Sequence, residues 1–302
     1  MASARFVVDY TIWIAMAVLY LLLGASSVAV AYKTRSSPIS QLRQQVYAWW
    51  IIFPVVSLSI FIYPYGCLAL ILLISCLAIR ELVRYHKGPR PLFCAICLVL
   101  LGLVLALTYY QPRSVSLLLP LLIIAQLAYF SLRRESNQLL LLLFLLSCFG
   151  LSFLIQLTHL PLPADTNLAW LFYLFTLTAL NDIAQFVSGK CLGTKQIAKR
   201  ISPNKTWQGL AGGVVISILV SVTLGSFLQL ATLPYLCLLA LLLSLGGFAG
   251  DLLFSAGKRF LHIKDYSQLI PGHGGILDRV DSLIVTAPLL YQVIYFSHDG
   301  FI

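Results

Sequence analysis

The sequence predicts an all-α, polytopic integral membrane protein with nine to ten transmembrane helices. Three observations carry that expectation. Hydrophobic residues make up 60% of the 302-residue chain and charged ones only 10%, where soluble domains hold about 25% charged; the mean hydropathy is +0.93. Apolar stretches of about 20 residues, the length that crosses a bilayer, recur from end to end. The Lys and Arg residues gather in the short segments between those stretches.

The first stretch, 10–32, is too long for a signal peptide and lacks a small-residue cleavage site, so it reads as a retained helix. The next two, 47–63 and 66–84, flank Pro64, Tyr65 and Gly66; they count as two spans, or as one broken helix. The fourth, 91–110, holds Cys94 and Cys97 with no second pair. Most of the seven cysteines lie in such apolar runs, as small buried hydrophobes rather than zinc ligands. Stretches 115–132 and 138–156 are Leu-rich, and 168–188 carries Asp182 inside an apolar run. The last three are 209–230, 233–254 and 280–297. No stretch is polar enough to fold as a soluble domain, and no internal repeat is evident. The motif content shifts after about residue 180, which divides the chain into scaffold helices (1–165) and a region carrying the site (166–302), with loops 189–207 and 257–279.

Charge sets the orientation. With the N-terminus outside and ten alternating helices, Lys33, Arg35, Arg43, Arg80, Arg84, Lys87, Arg90, Arg133, Arg134, Lys190, Lys195, Lys199, Arg200, Lys205, Lys258, Arg259, Lys264 and Arg279 fall inside. That is eighteen of the twenty basic residues, leaving Arg5 and Arg113 outside. The net charge of +10 then reflects loops facing an anionic leaflet and a phosphate site rather than nucleic acid. Both long charged loops lie on the cytoplasmic side, within reach of cytosolic nucleotides.

Asp251, Ser255 and Lys258 are spaced to share one helix face. Such a stripe on a membrane helix must face protein or water, and Gly246, Gly247 and Gly250 permit a close neighbour. Asp278 and Asp281 open the last helix; alone, Asp278 reads as an N-cap and Asp281 as a complement to the dipole. Yet Asp251 needs a partner, and Lys258, Lys264 and Arg279 crowd the same short loop. Two carboxylates brought together call for a cation, and Mg²⁺ completed by phosphate oxygens fits. Backbone N–H groups of Gly272, Gly274 and Gly275 could cradle phosphate. Upstream, Ser202, Lys205 and Thr206 sit just ahead of a helix, where phosphate binds, although a basic loop with a Ser cap explains them equally. Asp182 is a functional candidate or an interhelical hydrogen bonder. His273 reads as a base, a phosphate donor or a solvated loop residue; His86, His159, His262 and His298 read as loop or interface residues. Glu81 ends a helix and is expected to pair with a neighbouring Arg.

The run Ser255, Lys258, Arg259, Lys264, Asp265, Pro271, His273, Gly274, Gly275, Asp278, Arg279 and Asp281 resembles, in register, the signature of the phosphatidate cytidylyltransferase (CDP-diacylglycerol synthase) family. Asn181, Asp182, Gly189, Gly193, Thr194, Lys195, Ser202, Pro203, Lys205, Thr206 and Trp207 look like its second block, so the resemblance covers roughly 180–282. It implies a membrane enzyme with a cytoplasm-facing polar cavity that moves a cytidylyl group from CTP to phosphatidate, giving CDP-diacylglycerol and pyrophosphate. It also implies a homodimer and a divalent metal, Mg²⁺ with room for a second cation, on Asp251 and Asp278. Lys258 and His273 would join these two in catalysis. Ser202, Lys205, Thr206, Ser255, Arg259, Lys264, Arg279 and Asp182 would bind substrate or phosphate. Gln208 stands where many relatives have Glu, Asn204 where many have a basic residue, Gln185 and Phe186 where Ala and Tyr are usual, and Cys191 at a frequent Arg. The alternatives are a CTP-dependent transferase for another lipid phosphate or lipid alcohol, an ion-coupled transporter, and a binding protein without turnover. A bacterial inner membrane is the expected location, with the site facing the cytoplasm.

Overall fold

A computed structural model describes residues 10–33, 41–270, 272 and 274–298. Among them are ten helices long and apolar enough to cross a membrane, which makes the chain an integral membrane protein and resolves the count of nine to ten in favour of ten. They are α1 (Tyr10–Lys33), α2 (Gln41–Phe61), α3 (Tyr65–Leu82), α4 (Arg90–Tyr110), α5 (Pro112–Arg133), α6 (Ser136–Thr158), α7 (Ala164–Leu192), α8 (Trp207–Phe227), α9 (Leu233–Phe260) and α10 (Leu277–His298). Pro64 lies in the turn that separates α2 from α3, so the two are distinct helices.

Two helices outrun the apolar stretches that predict them. α9 continues six residues past 254 to Phe260, because Ser255, Ala256, Gly257, Lys258 and Arg259 carry it out of the apolar layer, with two cations on its C-terminal turn where the dipole favours them. α7 likewise runs to Leu192, with Lys190 in its last turn. The loops between them shrink to 193–206 and 261–276. The first holds an antiparallel hairpin, β1 (Gln196–Ala198) with β2 (Ser202–Thr206), pairing Gln196 with Thr206 and Ala198 with Ser202. Apolar periodicity gives no sign of this hairpin.

α6 is the axis of the packing. Sixteen of its residues are buried, among them Leu140, Phe144, Leu151, Phe153 and Leu154. At Gly150 a Cβ would overlap the Ile284 backbone, so α10 lies directly against it. One apolar cluster runs from Cys67 to Ile294 and crosses the 165/166 division. α7 and α8 meet through small residues: a Cβ on Gly212 or Gly213 would enter Ser188 or Gln185. α9 meets α10 at Gly250, where a Cβ would strike the Asp281 carbonyl. Many large apolar side chains on α1, α2, α4 and α5 point outward, as a lipid-facing surface requires.

The ends alternate. Tyr85 Oη donates to the Tyr266 carbonyl at 2.9 Å, the Lys87 N–H donates to Asn137 at 2.8 Å, and Arg259 Nε donates to the Ile201 carbonyl at 2.9 Å. These bonds gather loops 86–89, 134–135, 193–206 and 261–276 at one end. At the other, Tyr63 Oη donates to the Thr158 carbonyl at 3.1 Å, and Tyr235 meets Ser297 at 2.5 Å.

Candidate active site

The polar stripe on α9 forms as its spacing predicts. Ser255 Oγ donates to Asp251 Oδ1 at 3.4 Å, one turn away. A turn further, Lys258 Nζ donates to Asp278 Oδ1 at 2.6 Å, and both residues are buried. The Lys258 ammonium also lies 5.8 Å from the Tyr266 ring centroid. Asp278 Oδ2 accepts the N–H of Gly275 at 2.9 Å and of Tyr266 at 3.1 Å. Asp278 is the second residue of α10 rather than its cap, and it ties the loop before α10 to α9.

Lys205, projecting from β2, forms the second ion pair, with Asp251. Its ammonium stands 3.4 Å from Gln185 Oε1 and 5.4 Å from the centre of the Phe248 ring. Burial lowers the pKa of this lysine, but Asp251, Asp182 and Asp281 outweigh it and hold the pKa above the usual value. Three carboxylates therefore act on one ammonium. Asp182 Oδ1 in turn accepts Ser282 Oγ–H at 3.1 Å. Beside it, buried Asn181 Oδ1 accepts from Ser244 Oγ at 2.7 Å, Ser217 Oγ at 3.1 Å and Gln185 Nε2 at 3.2 Å, which links α7, α8 and α9 within the apolar layer.

A third wall comes from the first half of the chain. Glu81 does not pair with a neighbouring Arg, contrary to the sequence expectation. It is 2% exposed. Its Oε1 accepts Ser267 Oγ–H at 2.5 Å and the Ile276 N–H at 2.7 Å, and its Oε2 accepts the Leu277 N–H at 3.1 Å. The loop to which it binds leaves free donors at the start of α10, and a buried carboxylate settles where such donors converge.

The other candidates spread over the same end. Thr206 Oγ1 accepts the Gly209 N–H at 3.1 Å and caps α8. Ser202 is half-buried in β2; Lys264 and Arg279 are exposed. Arg259 is exposed but engaged, donating to the carbonyls of Ile201 at 2.9 Å and Ile263 at 3.3 Å, so it joins the two loops. Gln208 holds Thr194 and Lys195, accepting their N–H groups at 3.2 and 3.3 Å. His273 and Pro271 lie outside the described residues. Among the described residues, no three His, Cys, Asp or Glu side chains are grouped to hold a metal by themselves. Glu81 and Gln185 are side chains of this end that the candidate set omits. An ionisable residue inside an apolar helix was the available signal for Glu81.

The profile described as the Cytidylyltransferase family matches residues 43–297. Over 122 residues the chain is 43% identical to the uncharacterized protein YnbB of Escherichia coli (strain K12), covering 40% of this chain and 41% of that protein. It is 42% identical over 129 residues to the phosphatidate cytidylyltransferase of Bacillus subtilis (strain 168), covering 41% and 47%. It is 42% identical over 119 residues to the phosphatidate cytidylyltransferase of Brucella suis biovar 1 (strain 1330), covering 39% and 44%. Each alignment thus spans less than half of the relative.

Proposed function

The chain belongs to the cytidylyltransferase family, and from that membership we propose that it transfers a cytidylyl group from CTP to phosphatidate, giving CDP-diacylglycerol and pyrophosphate. The observation that carries this reading is the pairing of Lys205 with Asp251 and of Lys258 with Asp278, where loops 193–206 and 261–276 meet at one end of a transmembrane bundle. A water-soluble nucleotide and a lipid phosphate can meet there. Two relatives named for this reaction support the choice of substrates.

A phosphatidate oxygen attacks the α-phosphorus of CTP. The bond from that phosphorus to the bridging oxygen breaks, and pyrophosphate leaves with the electron pair. The lipid phosphate is already a nucleophile, so the protein's work is positioning and charge neutralisation. Lys205, whose pKa the neighbouring carboxylates raise, keeps its proton at neutral pH and offers a cation to phosphate. Lys264 and Arg279 are exposed and free to bind the phosphate chain. Ser202 adds a hydroxyl donor on the same side, while the Ser255 hydroxyl holds Asp251.

The carboxylate oxygens of Asp251 and Asp278 are hard donors of the kind Mg²⁺ takes, with phosphate oxygens completing its shell, and each now faces an ammonium, that of Lys205 or Lys258. Asp251 and Asp278 would hold it; a carboxylate has about four acceptor positions, and Asp278 uses three in the bonds described above. Bound there, the ion would offset charge on the reacting phosphates. The same proposal includes a homodimer in a bacterial inner membrane, with this end in the cytoplasm.

Purified protein in detergent should release pyrophosphate from CTP only with Mg²⁺ and phosphatidic acid together. Release with a prenyl phosphate or a lipid alcohol instead would reassign the acceptor. Ion flux in liposomes without CTP consumption would replace the enzyme reading with transport.

A further inference from the structure

We propose that Glu81 is a positioning residue of the transferase site: from α3 it fixes loop 261–276 and the first turn of α10, and so sets where Asp278 and Arg279 stand. Its kinetic test rests on the cytidylyl-transfer reading; its structural test does not.

The carboxylate reaches across 186 to 196 positions of sequence to take three donors, from Ser267, Ile276 and Leu277. Ile276 and Leu277 carry orphan N–H groups at the start of α10, and a negative group complements that helix end. Because Glu81 takes those donors, the neighbouring Asp278 is not spent on them. Its Oδ2 ties back to Gly275 and Tyr266, and its Oδ1 faces Lys258. Gly275 supplies an independent sign of the same arrangement. A Cβ there would lie 2.6 Å from Glu81 Oε1, and its φ is not in the left-handed region. Glycine is required at 275 by the space that the carboxylate occupies, not by backbone conformation. Tyr85, one turn beyond Glu81, adds its bond to the Tyr266 carbonyl at 2.9 Å. Residues 266, 267, 276 and 277 are thus gripped from α3 and the turn that follows it.

Two variants and two readouts test this. Glu81→Gln keeps the volume but turns one acceptor into a donor facing a backbone N–H. Hydrogen exchange at the amides of Ile276 and Leu277 should speed up by at least about tenfold, since their protection depends on the Glu81 carboxylate. In the same variant kcat should fall by at least about tenfold with the KM for CTP within about threefold, the pattern of an interaction needed in the transition state rather than in binding. Gly275→Ala, which pushes a methyl group into the carboxylate, should reproduce both effects. The double variant Glu81→Ala with Gly275→Ala should be no worse than Glu81→Ala alone, as residues acting through one contact are non-additive. Unchanged exchange in Glu81→Gln overturns the proposal. Faster exchange with unchanged kcat also overturns it, because Glu81 would then hold the loop without serving the site. Wild-type protein inactive on CTP and phosphatidate sinks the transferase reading instead, and the exchange arm still decides whether Glu81 anchors the loop.

Discussion

Lys258 and Asp278 form a largely buried ion pair, and such pairs are intolerant of half-removal. Taking away one member strands a buried charge, at a cost of about 3–5 kcal/mol. Lys258→Met should therefore lower the thermal unfolding temperature in detergent sharply, and the double variant with Asp278→Leu should recover part of the loss while both stay inactive. If Lys258→Met unfolds at the wild-type temperature, the pair is not buried as described. Lys205 behaves differently, because its ammonium pairs with Asp251 and lies in the field of Asp182 and Asp281, at the proposed phosphate site. Lys205→Met should cost about 10²–10³ in kcat, the usual range for a group that meets developing charge. Its pKa is raised from 10.5 on folding, so its contribution to stability is complete below that pH and disappears as pH rises through the folded value. The stability gap between wild type and Lys205→Met should then stay constant from neutral pH to about 10.5 and narrow above it, as pH-dependent melting would show.

At the scale of elements, the site depends on how closely α7, α8, α9 and α10 approach. Gln185 fills the space opposite Gly213, where a Cβ would collide with its Cγ, and its amide joins Asn181 to Lys205. Gly213→Leu should overpack this contact, costing about 1–3 kcal/mol, and should lower turnover by displacing Lys205. Measured melting and kcat together check it; an active, equally stable variant would mean that α7 and α8 have room to spare. Much of this level is legible in the sequence. Ten spans follow from apolar runs, the α9 stripe from helical spacing, and the gathering of loops from the distribution of Lys and Arg. What stays hidden is long-range. Nothing near Glu81 says that its partners are Ser267, Ile276 and Leu277, because a cap supplied by another helix leaves no local pattern. The β1–β2 hairpin is hidden because its strands, three and five residues long, are too short to show an apolar alternation. The reach of α9 to Phe260 is hidden because apolar windows end where charge begins, whereas the helix does not.

For the whole molecule, orientation in the bilayer is the property on which the proposed reaction depends, since CTP is available on one side. Among the described residues, Lys205, Lys258, Lys264, Arg279 and the basic groups of loops 86–89 and 134–135 share one end, while Arg113 sits at the other. Basic loops are retained in the cytoplasm, so that end should face inward. Cys191 is exposed near the end of α7, beside loop 193–206, and it provides a native probe. In a variant that keeps Cys191 alone, a membrane-impermeant maleimide should label inverted vesicles and leave right-side-out vesicles unlabelled. A single cysteine placed instead at Gln229, between α8 and α9, should show the opposite pattern. Labelling of Cys191 from outside would put the site away from cytosolic nucleotide and remove the physical basis for a CTP-dependent reaction. Labelling of both positions from the same side would contradict the alternation of the helices, because α8 lies between them and must carry the chain across.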